Sequence, residues 1–259
     1  MAKYTLITGA SEGIGVEFAR LAAQENRNMI LTARSKDKLD ALAAELSASG
    51  LDVVVIPADL SDPNEADRLW AEASTGRDID VLVNNAGLGY NGAFSDADAW
   101  ARELASMQVN MIAYARLMKL AVPHMTERGE GRIINVASTA AFMPGPGMAV
   151  YHATKAFALH LSEAVASELK ESPVTITALC PGATATNFFE DADMHDVRLL
   201  KIGAPMRADV VAKEGWQMAH AGQRIVVPGL INKIFAFLPR LVPRSLTARV
   251  TSTIMGKSV

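Results

Sequence analysis

Tyr151 and Lys155 stand four positions apart in the stretch YHATK. If this stretch is helical, the two side chains lie on one face of the helix, with Cβ atoms about 5–6 Å apart. A phenol has an ordinary pKa of about 10, which is high for proton transfer near neutral pH, and a nearby ammonium favours the phenolate. The pair could therefore form a general acid/base. An ordinary surface helix would show the same spacing. The pair alone therefore does not indicate catalysis, and other motifs of the chain must support that interpretation.

A glycine-rich stretch, TGASEGIG, lies between an apolar run and a helical pattern near the start of the chain. Gly9 permits a tight turn, Gly13 lets the backbone approach a pyrophosphate, and Gly15 allows close helix packing. The amides at the helix N-terminus would then bind the anion, with Ser11 and Ile14 in the same turn. A purely structural turn is the alternative. The order strand, turn and helix at the start of a βαβ unit predicts a dinucleotide site.

Seven short apolar runs alternate with Ala- and Leu-rich helical patterns. The runs are nearly continuously apolar, as expected for strands buried on both faces of a parallel sheet. We predict strands at 4–8, 28–33, 51–58, 80–84, 131–138, 174–180 and 224–227, and helices at 16–24, 36–49, 65–73, 102–127 and 150–171. The pattern therefore predicts an α/β fold, a single Rossmann-type doubly wound and mostly parallel sheet with helices on both faces.

No internal repeat, low-complexity tract or linker divides the sequence, so residues 1–259 are predicted to form a single dinucleotide-binding catalytic domain. The segment at about 183–222 is less regular. It is predicted to be a substrate loop, because an insertion after a strand's C-terminal end overhangs the ligand crevice in this fold. A tail of basic and apolar residues occupies about 228–259.

The order and spacing of several motifs resemble the short-chain dehydrogenase/reductase family over about residues 3–187. After TGASEGIG, the sequence continues with ADL at 58–60, NNAG at 84–87, Asn110, Ser138, YHATK, and PG at 181–182. The resemblance implies an oxidoreductase that interconverts a ketone or aldehyde and an alcohol with a nicotinamide cofactor. The residues beyond 187 match no motif of the family.

The resemblance implies roles for four side chains. Tyr151 would exchange a proton with the substrate carbonyl or hydroxyl oxygen, and Ser138 would hydrogen-bond the same oxygen. Lys155 would lower the tyrosine pKa and hold the nicotinamide ribose, while Asn110 would anchor a water that links Lys155 to solvent. In isolation, Ser138 would be interpreted as a cap after its strand and Asn110 as a helix-surface amide.

The resemblance also implies further contacts along the cofactor. Asp59 would bond the adenine amino group, and the backbone of Asn84, Ala86 and Gly87 would lie along the adenosine ribose. Asn84 and its neighbour Asn85 are also expected to stabilise the end of their strand. The nicotinamide carboxamide would be bracketed by Pro181, Gly182, Thr184 and Thr186.

The end of the second strand favours NADP over NAD. NAD sites place a carboxylate there to bind the ribose 2′-hydroxyl, whereas this chain has Ala33 followed by Arg34. A guanidinium can bind a 2′-phosphate through two hydrogen bonds, and Ser11 could add a hydroxyl donor. Glu12 stands where many NADP-dependent relatives have a basic residue, and it is expected to point to solvent.

The predicted substrate surroundings are mostly apolar, which favours a small apolar carbonyl or alcohol over a polyol or a small acid. His152 is expected to face another side of its helix and to be structural, and no metal ligand set is predicted. The pocket is assigned to Phe142, Met143, Phe188 and Phe189, with Ala140, Pro144 and Met194 nearby.

Composition limits the classes of function. Half of the residues are hydrophobic and a fifth are charged, so a large core is available. The net charge of −3 gives no overall attraction for nucleic acid. The single cysteine, Cys180, is expected to be buried and suits a reducing compartment. With no secretory leader or long apolar span visible, we expect a soluble cytoplasmic protein.

The tail has an unusual charge balance. From Gly215 to Val259 there is no Asp or Glu, while the basic residues give a formal charge of +6. The sequence favours a terminal helix that packs on the domain or on a partner subunit of a dimer or tetramer. The alternative is an interfacial helix that contacts an anionic membrane or a lipid-like substrate.

Two further functions compete with the oxidoreductase hypothesis. One is a non-catalytic sensor or scaffold that binds NADP(H). The other is a membrane-associated binding module that acts through its tail. The complete set of asparagine, serine, tyrosine and lysine argues against the first, because a sensor has no need of groups for proton transfer.

Overall fold

A seven-stranded parallel sheet forms the centre of the computed structural model, which describes residues 1–48, 50–194 and 204–255. The strand order is β3-β2-β1-β4-β5-β6-β9, and every neighbouring pair is parallel. The predicted α/β doubly wound fold is thereby confirmed. The strands of this sheet are β1 (Lys3–Thr8), β2 (Asn28–Thr32), β3 (Val53–Val55), β4 (Asp78–Asn84), β5 (Gly131–Val136), β6 (Val174–Leu179) and β9 (Ile225–Val226). The short strands β7 (Thr184–Ala185) and β8 (Met206–Arg207) pair separately.

Helices cover both faces of the sheet. They are α1 (Gly13–Gln24), α2 (Lys36–Ser47), α3 (Glu65–Ser74), α4 (Trp100–Met107), α5 (Tyr114–Arg128), α6 (Ala149–Glu168), α7 (Phe188–Asp191), α8 (Ala208–His220), α9 (Leu230–Phe237) and α10 (Arg244–Met255). A π-helical segment, Gln108–Ala113, joins α4 to α5 without a break. The predicted end of the second helix at Ser49 lies outside the described residues. Among those residues, no helix has the length and apolar content to cross a membrane.

Successive residues of the strands enter two separate hydrophobic cores, because side chains alternate across a sheet. Leu6 belongs to the core covered by α3, α5 and α6, whereas Ile7 belongs to the core covered by α1, α2 and α8. This two-sided burial explains why the strands are apolar at nearly every position. The third strand is shorter than the predicted 51–58. Ile56 and Ala58 still donate backbone hydrogen bonds to the β2 side, and Pro57 between them lies on the open edge of the sheet, where proline is tolerated.

The predicted irregular segment at about 183–222 is only partly irregular. Residues 208–220 form α8, a regular helix that buries Val211, Gly215 and Trp216 at helical spacing. The Trp216 ring packs 6.2 Å from that of Phe18 on α1. The second half of this segment is therefore part of the core. Residues 195–203, which the prediction also included, lie outside the described residues.

The sheet topology fixes where a ligand can bind. The chain runs from β1 outward through β2 and β3 and then returns to β4 on the other side of β1. The loops that follow β1 and β4 therefore diverge in opposite directions, which opens a crevice at the carboxyl ends of the strands. The glycine turn after β1 and the NNAG stretch at the end of β4 meet at this crevice.

Candidate active site

A cavity of about 900 Å³ opens at the carboxyl ends of the strands. This volume lies in the usual range for small-molecule and cofactor sites. Most of the residues that sequence reasoning assigned to the site line the cavity. They are Gly9, Ser11, Gly13, Ile14, Arg34, Asp59, Ala86, Gly87, Ser138, Met143, Tyr151, Lys155, Pro181, Gly182, Thr184, Thr186, Phe188 and Phe189.

The glycine turn has the shape that a pyrophosphate site needs. Gly9 and Gly13 have φ angles of +66° and +57°, a conformation that favours glycine. A Cβ added to Gly15 would lie 2.1 Å from the Gly9 carbonyl oxygen, so no side chain fits there. Helix α1 begins at Gly13, and its N-cap residue, Glu12, makes no side-chain capping bond. The first-turn amides are therefore open to an anion, and the turn fits a dinucleotide.

Two asparagines stabilise the end of β4, and one of them, Asn85, holds the glycine turn. The Asn85 amide donates to the carbonyl oxygens of Thr8 at 2.9 Å and Gly9 at 3.2 Å, and the Thr8 hydroxyl accepts from the backbone of Asn85. Asn84 is buried and does not line the cavity; its amide donates to the Tyr114 carbonyl at 3.0 Å. These hydrogen bonds stabilise the end of the strand, which is the role expected of the two asparagines.

Helix α6 and the end of β5 bring Tyr151, Lys155 and Ser138 to one wall of the cavity. The Lys155 ammonium donates to the Val136 carbonyl at 2.9 Å and lies 5.8 Å from the Tyr151 ring centroid. The Ser138 hydroxyl caps the following 3₁₀ turn, accepting from the Ala140 amide at 3.1 Å. Ser138 therefore caps the turn after its strand and also lines the cavity.

The predicted direction of the Tyr151 pKa is wrong for this structure. Burial raises the tyrosine pKa to about 12, and contact with the Ser138 hydroxyl opposes the rise only in part. Burial also lowers the pKa of Lys155 to about 8. The lysine does not bring the phenol towards neutrality here because its ammonium is itself desolvated and turned towards the Val136 carbonyl.

Asn110 lies behind the cavity wall, in the π-helical segment between α4 and α5. Its amide donates to the Leu88 carbonyl and the Thr154 hydroxyl, and its oxygen accepts from the Leu88 backbone. Its oxygen and the Lys155 nitrogen both lie within 3.3 Å of the point that a Cβ on Gly87 would occupy. The helix-surface interpretation of Asn110 is wrong, because the side chain is 1% exposed. The π geometry, common at functional sites, points it inward.

The end of the cavity beyond β2 carries two basic groups. Arg34 lines it, as predicted, and so does Lys38, which sequence reasoning missed. Its signal was the run of basic residues Arg34, Lys36 and Lys38, of which Lys38 stands four positions after Arg34. Glu12 does not simply point to solvent: its carboxylate accepts from Lys38 at 3.2 Å and from Asn187 at 2.8 Å. Hydrogen bonds from Ser61 hold the Asp59 pKa below its ordinary value.

The substrate side is apolar but is formed differently from the prediction. Phe188 packs against Tyr151, with ring centroids 5.2 Å apart. Phe142 does not line the cavity and packs against the α3/α5/α6 core instead. His152 lines the cavity rather than facing away, and its Nδ1 bonds to the Met143 carbonyl at 2.8 Å. Burial lowers the pKa of this imidazole.

The C-terminal helices also reach the cavity, which the sequence did not indicate. A Cβ on Gly182 would lie 2.2 Å from Oδ1 of Asn232, so α9 packs directly against the PG loop. The tail therefore packs on its own domain, as the favoured interpretation requires. Tail residues that line the cavity are Leu230, Ile231, Asn232 and Phe235 from α9, with Thr251 and Ile254 from α10.

Residues 3–196 match the family model of short chain dehydrogenases. The very-long-chain 3-oxoacyl-CoA reductase of Podospora anserina is 37% identical over 177 residues, which cover 67% of this chain and 52% of that protein. The ketoacyl reductase HetN of a Nostoc species is 34% identical over 205 residues, covering 78% and 71%. A short-chain dehydrogenase from Sphingobium yanoikuyae, solved with NADPH, superposes with a TM-score of 0.81 at 32% identity, covering 88% of each chain.

The chain therefore belongs to the short-chain dehydrogenase/reductase family. It is an oxidoreductase that acts on CH–OH groups with NAD(P). The aligned region spans about half the length of the Podospora protein.

Proposed function

We propose that this protein is an NADP(H)-dependent oxidoreductase that interconverts a ketone or aldehyde and an alcohol on a small apolar substrate. The observation that carries the proposal is the position of Tyr151, Ser138 and Lys155 in the same cavity as the glycine turn, facing Phe188 and Phe189. Two relatives named as ketoacyl reductases support a carbonyl substrate attached to an apolar chain.

In this mechanism, Tyr151 donates a proton to the substrate carbonyl oxygen during reduction and removes it from the hydroxyl during oxidation. Ser138 donates a hydrogen bond to the same oxygen and stabilises the charge that develops there. The nicotinamide cofactor, when bound, supplies or accepts the hydride. The apolar wall of Phe188, Phe189 and Met143 orients the substrate and limits the access of water.

Lys155 and Asn110 act behind the tyrosine. The Lys155 ammonium, one helical turn from Tyr151, binds the nicotinamide ribose beside the tyrosine. Asn110 holds the Leu88 loop and helix α6 through its three hydrogen bonds. It also contributes to the path by which a water exchanges protons with Lys155.

Arg34 and Lys38 support NADP as the cofactor. Both line the end of the cavity beyond β2, where the chain has Ala33 in place of the carboxylate that NAD sites use. Ser11 of the glycine turn lines the same end and can add a hydroxyl donor. A 2′-phosphate there would meet the Arg34 guanidinium and the Lys38 ammonium, which is paired with Glu12, and no carboxylate from β2.

The remaining cofactor contacts in this proposal follow the family resemblance. Asp59 accepts a hydrogen bond from the adenine amino group, and the backbone of Ala86 and Gly87 lies along the adenosine ribose. The nicotinamide carboxamide is held by the PG loop and the threonines after it, which all line the cavity: Pro181, Gly182, Thr184 and Thr186.

Replacing Arg34 with Ala should raise the Kd for NADP about tenfold to a hundredfold and leave the Kd for NAD nearly unchanged. The expected size follows from the loss of a charge-assisted hydrogen bond, worth roughly 1.5–3 kcal/mol. Titration of both cofactors against the parent and the variant, followed by intrinsic fluorescence, measures the difference directly. Lys36→Ala is the matched control, because Lys36 is an exposed neighbour that does not line the cavity.

Equal weakening of NADP and NAD binding would contradict the assignment of Arg34, as would a parent protein that prefers NAD.

The substrate class in the proposal is tested separately. A panel of carbonyls and alcohols, followed at the absorbance band of the reduced nicotinamide, should show turnover of bulky apolar ketones and little turnover of polyols. Activity confined to small polar substrates would exclude the apolar class.

The pH dependence should distinguish the two directions of the reaction. Below its pKa, the phenolate fraction of a tyrosine rises about tenfold per pH unit. Because burial raises the pKa of Tyr151 to about 12, alcohol oxidation, which needs the phenolate, should accelerate about tenfold per pH unit, or about thirtyfold between about pH 6 and 7.5. Ketone reduction, which needs the protonated phenol, should stay flat. Equal profiles of kcat/KM in both directions would refute this role.

We also propose a homo-oligomer. Trp100, Leu104 and Ile112 are 49–55% exposed along α4 and the π-helical segment, and large apolar side chains in such a row suit a subunit contact. Light scattering of the full chain would give the mass, and a monomer at all concentrations would exclude the proposal.

A further inference from the structure

The C-terminal helices expose an unusual number of large apolar side chains. Leu230 at the start of α9 is 74% exposed, and Leu241 between the helices is 66% exposed. We define the C-terminal patch as the exposed apolar residues Leu230, Ile231, Ile234, Phe235, Phe237, Leu238, Leu241, Val242, Leu246 and Val250. Isolated exposed apolar side chains are common, but so many on two consecutive helices indicate an interaction surface.

Helix α10 exposes apolar side chains that the usual packing of an amphipathic helix would bury. It buries the polar Thr247 and Thr251 against the protein, whereas Leu246 and Val250 face outward. The two threonine hydroxyls bond to backbone carbonyls of Pro243 and Thr247 one turn earlier, so their burial leaves no unpaired group. A helix whose outer face meets water shows the opposite arrangement. The outer face of α10 therefore places Leu246 and Val250 beside Arg244 and Arg249, which suits a boundary between water and an apolar medium.

The charge on this surface has one sign. The chain has no Asp or Glu after Glu214. Lys233 lies 4.0 Å from Glu214, whereas Arg240, Arg244 and Arg249 have no carboxylate within 4 Å in the described part of the chain. Arginines interspersed with apolar side chains are typical of helices that lie at the surface of an anionic membrane. A second copy of the same patch would oppose these arginines with its own.

The patch is continuous with the mouth of the catalytic cavity. Leu230, Ile231 and Phe235 belong to the patch and also line the cavity, and Ile254 of α10 lines it from the other helix. We propose that α9 and α10 dock the protein on an anionic lipid bilayer, with the cavity mouth facing the lipid. An apolar substrate could then enter from the bilayer; that consequence rests on the proposed function, whereas docking does not.

Vesicle flotation of the full chain tests the docking directly and needs no turnover. The probes are phosphatidylcholine vesicles with and without phosphatidylglycerol, at low salt and at about 0.5 M salt. Leu246→Ser/Val250→Ser removes apolar contacts, and Arg244→Glu/Arg249→Glu reverses the charge. The matched controls change side chains that are as exposed but lie outside the patch. They are Phe94→Ser/Val210→Ser and Lys119→Glu/Lys170→Glu.

The parent should bind only the vesicles that contain phosphatidylglycerol, and high salt should weaken binding. Each patch variant should bind at least about tenfold more weakly, because two apolar contacts or two attractive charges are lost. The controls should bind like the parent. All altered side chains are exposed, and circular dichroism would show that each variant remains folded.

Two results would overturn the proposal. One is a parent that ignores anionic vesicles at low salt. The other is a control pair that weakens binding as much as the patch variants do. If the parent ignores vesicles and Leu246→Ser/Val250→Ser lowers the mass measured by light scattering, the patch contacts another copy of the chain instead of lipid. Loss of turnover with intact vesicle binding would count only against the proposed function.

Discussion

Tyr151→Phe should lower kcat about 10²–10⁴-fold, the usual contribution of a general acid/base. The substitution removes only the phenolic oxygen. The ring stays to pack against Phe188 at 5.2 Å and His152 at 6.1 Å, so the shape of the cavity should not change. The affinity for NADP should therefore remain within about twofold of the parent value, because the proposed cofactor contacts come mainly from other residues.

The control for this prediction is Tyr4→Phe. Tyr4 also loses a hydroxyl that is hydrogen-bonded, to Asp52 at 2.5 Å, but it lies away from the cavity. The turnover of the Tyr4→Phe variant should match that of the parent. Steady-state kinetics with one substrate, together with a cofactor titration, separate the two effects. Near-normal turnover in Tyr151→Phe would remove Tyr151 from the mechanism, and an equal loss in both variants would indicate general destabilisation.

The fold is largely readable from the sequence because its strands are buried on both faces. Leu6 and Ile7 enter different cores, so both are apolar, and the resulting apolar runs stand out from their surroundings. The failures have local causes. The third strand lies at the edge of the sheet and is paired on one side only, and α8 was hidden because its buried residues follow a segment with no clear period.

The site is less readable because it depends on burial by distant elements. The spacing of Tyr151 and Lys155 predicts one helix face, and α6 provides it. It does not predict that the Lys155 ammonium would face the Val136 carbonyl or that burial would raise the tyrosine pKa. Those outcomes require knowing what covers α6. The contribution of the tail was missed for the same reason, since Thr251 and Ile254 carry no motif.

Lys155→Met should lower turnover at least about a hundredfold and weaken NADP binding, without loss of stability. Lys155 is 5% exposed, and burial lowers its pKa from 10.5 to about 8. A change of that size corresponds to about 3 kcal/mol disfavouring the charged form. Methionine has similar length and no charge, and replacing a buried charge with an apolar side chain is often neutral or stabilising. The lost hydrogen bond to the Val136 carbonyl offsets part of that gain.

The stability difference between this variant and the parent should depend on pH in a defined direction. Because the lysine pKa is lower in the folded state than in the unfolded chain, the unfolded parent binds more protons between about pH 8 and 10.5. The parent therefore gains stability as pH rises through that window, whereas Lys155→Met lacks this contribution. The gain in unfolding free energy of Lys155→Met over the parent should be greatest below pH 8 and should vanish towards pH 10.5. Urea unfolding at several pH values measures it, with the exposed Lys170→Met as control. A pH-independent difference would show that the Lys155 ammonium is not destabilised by burial.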